Sequence, residues 1–231
     1  MPSTTKTLHF MSSALVTAVS LGLLGYSMST QWAKTTMECA RRGSGFFNGT
    51  ATITFELFGG NLNRAFCPLF GGTDDFQVIS KLMETGVTPV ALYILVLCLL
   101  ALCLLFSAGS ILISLYNSVS NPYETYMGPV GVYTCSSLSA CLSVAVLIIF
   151  AVNVNVTNMA EDLVNNFSEA IPVDLRNKSS EMQLGYYLVI PYTLLSLFGI
   201  VLIYMYDHAA YKHRREQQRP TEDAPKEVMM Y

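Results

Sequence analysis

Cysteine is the residue type in this chain whose spacing most directly predicts covalent chemistry. The chain has 231 residues and six cysteines. Cys39 and Cys67 lie in a polar stretch between two apolar segments, and the remaining cysteines lie within long apolar segments. A single pair of cysteines in an oxidising compartment predicts one disulfide, Cys39–Cys67, with two free thiols as the alternative. The four apolar-segment cysteines are small packing residues in this interpretation: Cys98, Cys103, Cys135 and Cys141.

Four Asn-x-Ser/Thr triplets are candidate N-glycosylation sites. They begin at Asn48, Asn155, Asn166 and Asn177. The first follows the first apolar segment, and the other three follow the third. This shared placement predicts that both of these regions face outward. Asn48 and Asn166 are the better candidates, because Asn155 directly follows an apolar segment.

No arrangement typical of a catalytic site is present in the sequence. The histidines His9, His208 and His213 have no cysteine or carboxylate at metal-ligand spacing. There is no nucleophile elbow and no phosphate-binding loop. No ionisable residue lies deep within an apolar segment, which argues against a proton relay or a transport site. We therefore predict a binding or structural protein, not an enzyme, with no cofactor, metal or nucleic-acid partner.

The elements that carry these residues are dominated by apolar sequence. Apolar residues make up 52% of the chain and charged residues 13%, against about 25% charged in soluble domains. A helix of roughly 20 apolar residues crosses a bilayer, and lipid requires every backbone group to be satisfied internally. We therefore predict four membrane helices in contact with the lipid bilayer. Their ranges are 8–29, 90–115, 130–153 and 185–206.

The predicted topology is a multi-pass plasma-membrane protein with both termini in the cytoplasm. Basic residues crowd the region directly after the fourth span, which is typical of a cytoplasmic segment. The sequons place the other side outward. The segments are a cytoplasmic start (1–7), an outer loop (30–89), a cytoplasmic loop (116–129), an outer loop (154–184) and a cytoplasmic tail (207–231). As an alternative, the first span could be a cleaved signal peptide.

The first outer loop contains two runs that alternate between apolar and polar residues. In one, Ala33, Thr35, Met37 and Cys39 share a side. In the other, Ile53, Phe55 and Leu57 share a side. Alternation of period two predicts half-buried strands, and the intervening Asn48-Gly49 pair suits a tight turn. We therefore predict a mainly α membrane protein, with a small outer antiparallel sheet on a left-handed four-helix bundle.

Three further patterns give expectations about packing. Small residues repeat every four positions at Ala14, Ala18 and Gly22, and at Ser137, Cys141 and Ala145, which favours close helix contact within the bundle. In residues 158–167 the apolar residues lie four positions apart, which predicts an amphipathic helix that continues the third span. We expect this helix to pack against the sheet and to end at Pro172. Residues 173–181 are predicted to be a polar connection to the fourth span.

The tail ends in apolar residues at the last and third-last positions, Tyr231 and Met229. This pattern fits capture of a C-terminal carboxylate by a PDZ-domain scaffold. The tail around it is charged and poor in apolar residues, which predicts disorder.

The first outer loop also resembles that of the claudin-like tetraspan superfamily. The resemblance rests on Trp32, on Leu57-Phe58-Gly59 and on Cys67. In the superfamily signature a tryptophan is followed by Gly-Leu-Trp and two cysteines. This chain departs from it, because Glu56 replaces the glycine, Phe58 replaces the second tryptophan and Cys39 lies far upstream of the usual first cysteine.

A closer resemblance, over nearly the whole chain, is to the clarins, and among them to the third paralogue. Its most specific part is the cytoplasmic-loop motif, which contains Asn121, Pro122, Tyr123, Gly128 and Pro129. Clarins are tetraspan plasma-membrane proteins, and the best known is tied to hearing and vision. We expect a non-enzymatic organiser or scaffold of the clarin type, which would organise a sensory-cell membrane, a synapse or an actin-linked microdomain. It would hold a membrane-protein partner through its loops and helices. The alternatives are an auxiliary subunit of an ion channel and a claudin-like cell-contact protein.

Overall fold

The computed structural model describes residues 4–43, 45–67, 71–119, 128–168 and 173–218. The elements run in the following order: α1 (Thr4–Met28), β1 (Gln31–Arg41), β2 (Gly49–Glu56), β3 (Gly59–Ala65), β4 (Gly72–Gln77), α2 (Val78–Met83), α3 (Val87–Val119), α4 (Gly128–Val156), α5 (Met159–Phe167), β5 (Val173–Met182) and α6 (Leu184–Gln218).

Four of these helices form the membrane bundle. Among the described residues, α1, α3, α4 and α6 are the helices long and apolar enough to cross a membrane. They pack as a ring, in which α1 contacts α3 and α6, and α4 contacts the same two helices. The predicted class, a mainly helical tetraspan protein with a small antiparallel sheet, is confirmed. Where the lipid boundary falls on each helix remains a prediction.

The small-residue stripes do not pack the bundle as the sequence suggested. Ala14 is buried, but Ala18 and Gly22 lie on the outer surface of α1, and a Cβ added to Gly22 would meet no atom within 4 Å. Ser137 and Cys141 of α4 are also exposed. The sequence shows which residues share a helix face, but it does not show which face meets the neighbouring helices.

The sheet has five antiparallel strands in the order β4-β3-β2-β1-β5. Strands β1 to β4 form a meander between α1 and α2, and β5, which lies between α5 and α6, returns to pair with β1. In the predicted strands, Thr35 and Met37 of β1 and Ile53 and Phe55 of β2 all face the buried side. The sheet, α2 and α5 together are called the cap below.

Three sequence expectations about the outer loops are wrong. Residues 173–181 are not a connection but most of β5, at the edge of the sheet. Helix α5 does not continue α4, because the helix breaks at residues 157–158, and α5 ends at Phe167 with Ser168 as its C-cap. Pro172 lies outside the described residues. The Asn48-Gly49 pair is not a tight turn, since Gly49 is already in β2, opposite Cys39.

Among the described residues of the β1–β2 connection, Gly43 (φ 82°) and Gly45 (φ 69°) have positive backbone angles. Glycine adopts this region without the steric cost of a Cβ atom. The connection is therefore a longer loop that turns at its two other glycines.

Candidate interaction surface

The cap is held rigidly on the bundle by Trp32. Its indole Nε1–H donates a hydrogen bond of 2.8 Å to the carbonyl oxygen of Ser27 in α1. Its ring meets that of Phe150 in α4 edge-on, with centroids 5.0 Å apart. A Cβ at Gly185 of α6 would lie 2.5 Å from the indole Cδ1, so only glycine fits there. Trp32 is fully buried and joins three of the four bundle helices.

The Leu57-Phe58-Gly59 segment makes a second attachment to the bundle. Leu57 is buried in the core that continues into the bundle. The Tyr93 hydroxyl of α3 donates to the carbonyl oxygens of Glu56 (2.6 Å) and Leu57 (3.2 Å). These bonds satisfy backbone acceptors that the end of a strand would otherwise leave unpaired. Phe58 is exposed at this end of the sheet.

The disulfide fixes the opposite end of the sheet. Cys39 and Cys67 are bonded, with Cα atoms 5.6 Å apart, as predicted. Two residues separate the end of α1 from the start of β1, and one residue separates the end of β5 from the start of α6. These strand ends therefore lie at the bundle, and the end where β1 stops and β2 begins is distal. The disulfide ties the distal end of β1 to the chain that follows β3.

Beside the disulfide, Phe66 is held in a strained conformation and exposed. Its φ is 54°, a region that bulky residues rarely adopt, at a cost on the order of 1–3 kcal/mol. Its carbonyl carbon would lie 2.8 Å from a Cβ at Gly49, so β2 can pass only because position 49 is glycine. The Phe66 side chain is 72% exposed. The strained residue therefore carries an exposed aromatic ring, not a buried one.

Helix α5 braces the other flank of the cap. The Phe167 ring packs on Phe76 with centroids 5.3 Å apart, and Arg64 donates to the Phe167 carbonyl at 3.2 Å. Lys81 of α2 lies over the Phe167 ring, 5.3 Å from its centroid. Burial raises the pKa of the Asp162 carboxyl in α5, with a further contribution from Glu161. α5 therefore packs on the sheet as the amphipathic pattern predicted.

A bulge in β5 turns one cation inward. The β1–β5 register shifts between Thr36 and Glu38, and Asn177 has a φ of 53°. The shift lets the Lys178 ammonium donate to the Thr157 carbonyl (2.9 Å) and pair with Glu161 (3.0 Å). Bulges commonly redirect a side chain in this way. The edge strand is thereby tied to the break between α4 and α5.

The outward face of the sheet is polar and ordered. One row of short polar side chains crosses all five strands, because each member pairs with the next in register. The row is Ser179, Thr36, Thr52, Asn63 and Thr73. Hydroxyl and amide groups of this kind can donate and accept hydrogen bonds, so the face can bind a polar partner.

An open apolar groove of about 400 Å³ lies where α2 meets α3. Its apolar lining includes Met83, Val87, Val90 and Ile94, and Glu84 is among its polar lining residues. The Glu84 carboxylate accepts hydrogen bonds from Lys81 (3.0 Å) and Asn166 (3.1 Å). The bond from Lys81, then that from Asn166, lowers the pKa of Glu84. No pattern in the sequence indicates this groove, because α2 is too short to show a helical period.

The predicted glycosylation sites differ in surroundings. Asn48 is exposed at the distal end. The other three side-chain amides each donate a hydrogen bond: Asn155 to the carbonyl of Ala151 (2.9 Å), Asn166 to Glu84 (3.1 Å) and Asn177 to Glu38 (2.8 Å). Glycosylation at any of the four remains a prediction.

Several predicted site residues cannot be placed. Asn121, Pro122 and Tyr123 of the predicted cytoplasmic loop, and Met229 and Tyr231 of the tail, lie outside the described residues. Gly128 and Pro129 form the first turn of α4. Across the part of the chain that the structure describes, no three His, Cys, Asp or Glu side chains group in a way that could hold a metal ion.

Comparison with known proteins matches this architecture to one family. A family model described as Clarin-2-like matches residues 5–182. Clarin-3 of Mus musculus is 31% identical and Clarin-3 of Rattus norvegicus 33% identical, each over the full length of both chains. Clarin-1 of Homo sapiens is 26% identical over 71% of this chain and 73% of its own.

Proposed function

The chain belongs to the clarin family, and from that premise we propose that it is a non-enzymatic organiser of the plasma membrane. Its cap binds a partner outside the cell, and its tail binds a PDZ-domain scaffold inside. The bundle fixes the cap relative to the bilayer. The orientation used here, with both termini cytoplasmic, rests on the sequons and on the basic residues after α6.

The observation that carries this proposal is the exposed, strained Phe66. Aromatic side chains dominate binding energy at protein interfaces. A ring fixed by the adjacent disulfide and by the close contact with Gly49 loses little conformational entropy on binding. The apolar residues at Met229 and Tyr231 support the cytoplasmic half of the proposal.

Single-molecule tracking of the full chain in the plasma membrane tests both halves. We expect Phe66→Ser to increase lateral diffusion if an outer partner confines the protein. Deletion of residues 229–231 should do the same if a scaffold does. Phe58→Ser is the matched control, because Phe58 is also exposed but lies at the bundle end of the sheet. If neither change to the proposed contacts alters diffusion, the organiser function is excluded.

A second candidate function, an auxiliary subunit of an ion channel, is favoured by the outward face of α1. Added Cβ atoms at Gly22 and Gly25 would meet nothing within 4 Å, so this face of α1 is open to another helix. Small residues permit close helix approach in lipid. Replacing both glycines with leucine should remove any effect of the chain on the gating or surface delivery of a co-expressed channel. Unchanged channel behaviour in the presence of the unmodified chain would exclude this candidate.

A further inference from the structure

The distal loop presents an exposed phenylalanine two residues before a sequon asparagine. The sequence there is Phe46-Phe47-Asn48-Gly49-Thr50. Phe46 is 77% exposed. An isolated ring this exposed costs solvation free energy, because its apolar surface remains in water.

Burial alternates along this segment. Phe46, Asn48 and Thr50 are exposed, whereas Phe47 is half-buried and Gly49 is buried. The same alternation continues into β2, in which successive side chains point to opposite sides. The Phe47 ring faces the Arg176 guanidinium, whose Cζ lies 5.5 Å from the ring centroid. Phe46, the asparagine and the threonine of the sequon therefore share one outward side.

We infer that Phe46 is the platform for the first N-acetylglucosamine of a glycan on Asn48. In the modification, the Nδ2–C1 bond forms while the bond from C1 to a lipid-linked pyrophosphate breaks, and one amide proton is released. The first sugar is then tethered two residues from the ring. Phe46 is a positioning residue for the glycan, and the glycan covers an apolar side chain that the bare protein leaves in water.

The chemistry of the two partners matches. A pyranose ring has an apolar face of C–H groups, and the face of an aromatic ring carries negative charge density. Stacking them removes apolar surface from water and adds weak C–H contacts to the π system. Side chains two residues apart on one side of an extended chain are roughly 7 Å apart, which the length of an asparagine side chain and one sugar ring can span.

The other sequons lack this arrangement. The residue two positions before Asn155 is Asn153, and that before Asn166 is Val164, and both are buried. Leu175 precedes Asn177 at the same spacing and is half-buried. An exposed aromatic platform is therefore specific to Asn48.

The inference rests on the outward orientation proposed above, and expression of the full chain in mammalian cells tests it. Asn48→Gln should remove one glycan, seen as an increase in gel mobility. Enzymatic deglycosylation of both chains should abolish this difference. Phe46→Ser should lower the fraction of chains modified at Asn48, and Phe46→Trp should restore it. Phe58→Ser, which changes an exposed phenylalanine remote from any sequon, should leave that fraction unchanged.

Thermal unfolding separates stacking from mere efficiency of modification. Phe46→Ser should lower the Tm of the Asn48-glycosylated chain, by about 2–4 °C per kcal/mol lost in a chain of this size. It should not lower the Tm of the Asn48→Gln chain. If Asn48 carries no glycan, the inference and the proposed orientation fail together. If Asn48 is glycosylated and Phe46→Ser changes neither occupancy nor the Tm difference, the platform alone is excluded.

Discussion

The interior of the cap and the interior of the bundle are built from different side chains. The cap core is apolar and aromatic, with Trp32, Ile53, Phe55 and Leu62 all fully buried. The bundle core mixes apolar residues with many buried hydroxyls. These include Ser13, Thr17, Ser20, Ser107, Ser110, Ser136, Ser139, Ser143 and Ser196.

This difference reflects the predicted surroundings of the two regions, which are water for the cap and lipid for the bundle. A sheet facing water gains stability by removing apolar surface from it. Helices in lipid gain nothing from that transfer, because the acyl chains are as apolar as the side chains, so close packing and hydrogen bonds hold them together. Ser107 and Tyr192 share a bond of 2.8 Å, Ser143 and Thr193 one of 2.7 Å, and Ser110 and Ser136 one of 2.9 Å. Deleting the same number of side-chain atoms should therefore lower the free energy of unfolding more in the cap than in the bundle.

The largest expected effect is that of Trp32→Ala. It removes a fully buried side chain and its hydrogen bond to Ser27, at an expected cost of about 3–5 kcal/mol. Hydrogen exchange in nanodiscs should show faster exchange throughout the cap and in the ends of α1 and α6 beside it. Phe58→Ala, which truncates an exposed ring, is the control. Equal losses of protection in the two variants would contradict the role given to Trp32.

The next effect in size is removal of the disulfide by Cys39→Ala with Cys67→Ala. The bond closes a separation of 28 residues, worth about 3–4 kcal/mol by the chain-entropy relation. We expect the cap to become sensitive to protease near residues 45–48 and 66–67, while the bundle helices stay protected. Loss of the helices at the same protease concentration would show that the two regions do not differ in this way.

A smaller effect is expected inside the bundle. Tyr192→Phe deletes a hydroxyl that bonds Ser107 and the Cys103 carbonyl, and such bonds average about 0.6 kcal/mol in membrane helices. Combining it with Ser107→Ala in a double-mutant cycle isolates the interaction energy of the two side chains. Ser137→Ala, at an exposed position, is the control. A cost as large as that of Trp32→Ala would refute the proposed contrast between the two cores.

The smallest effect lies at the boundary between the regions and depends on pH. The pKa of Glu84 is lowered in the fold by Lys81 and Asn166, so the carboxylate stabilises the cap above the ordinary glutamate pKa. This contribution is lost as the pH falls through the lowered pKa. The Tm difference between the unmodified chain and Glu84→Gln should thus be present at pH 7 and vanish in acid. A difference that persists at acid pH would mean that the charge is not its cause.

Much of this architecture follows from local patterns. β1 and β2 were predictable because each has one solvent-facing side and one buried side. This arrangement makes buried residues such as Thr35 and Met37 alternate with more exposed polar residues. β5 was not, because it is an edge strand with Val173 as its one buried residue among those described. Its pairing with β1 supplies the hydrogen bonds that its composition does not indicate. The exposed Phe66 and the groove at Glu84 were missed for a similar reason, since each depends on a contact between distant segments.

The four membrane helices, the first two strands of the sheet and the cysteine pair could be predicted without coordinates, because charge gaps, alternation and composition are properties of consecutive residues. Three features are visible only in the folded protein: Ala18 and Gly22 face away from the bundle, β5 completes the sheet, and Phe66 is strained and exposed. Each of these depends on which surfaces meet across more than 100 residues or around the disulfide. Packing between distant segments decides these features, so a local sequence pattern does not predict them.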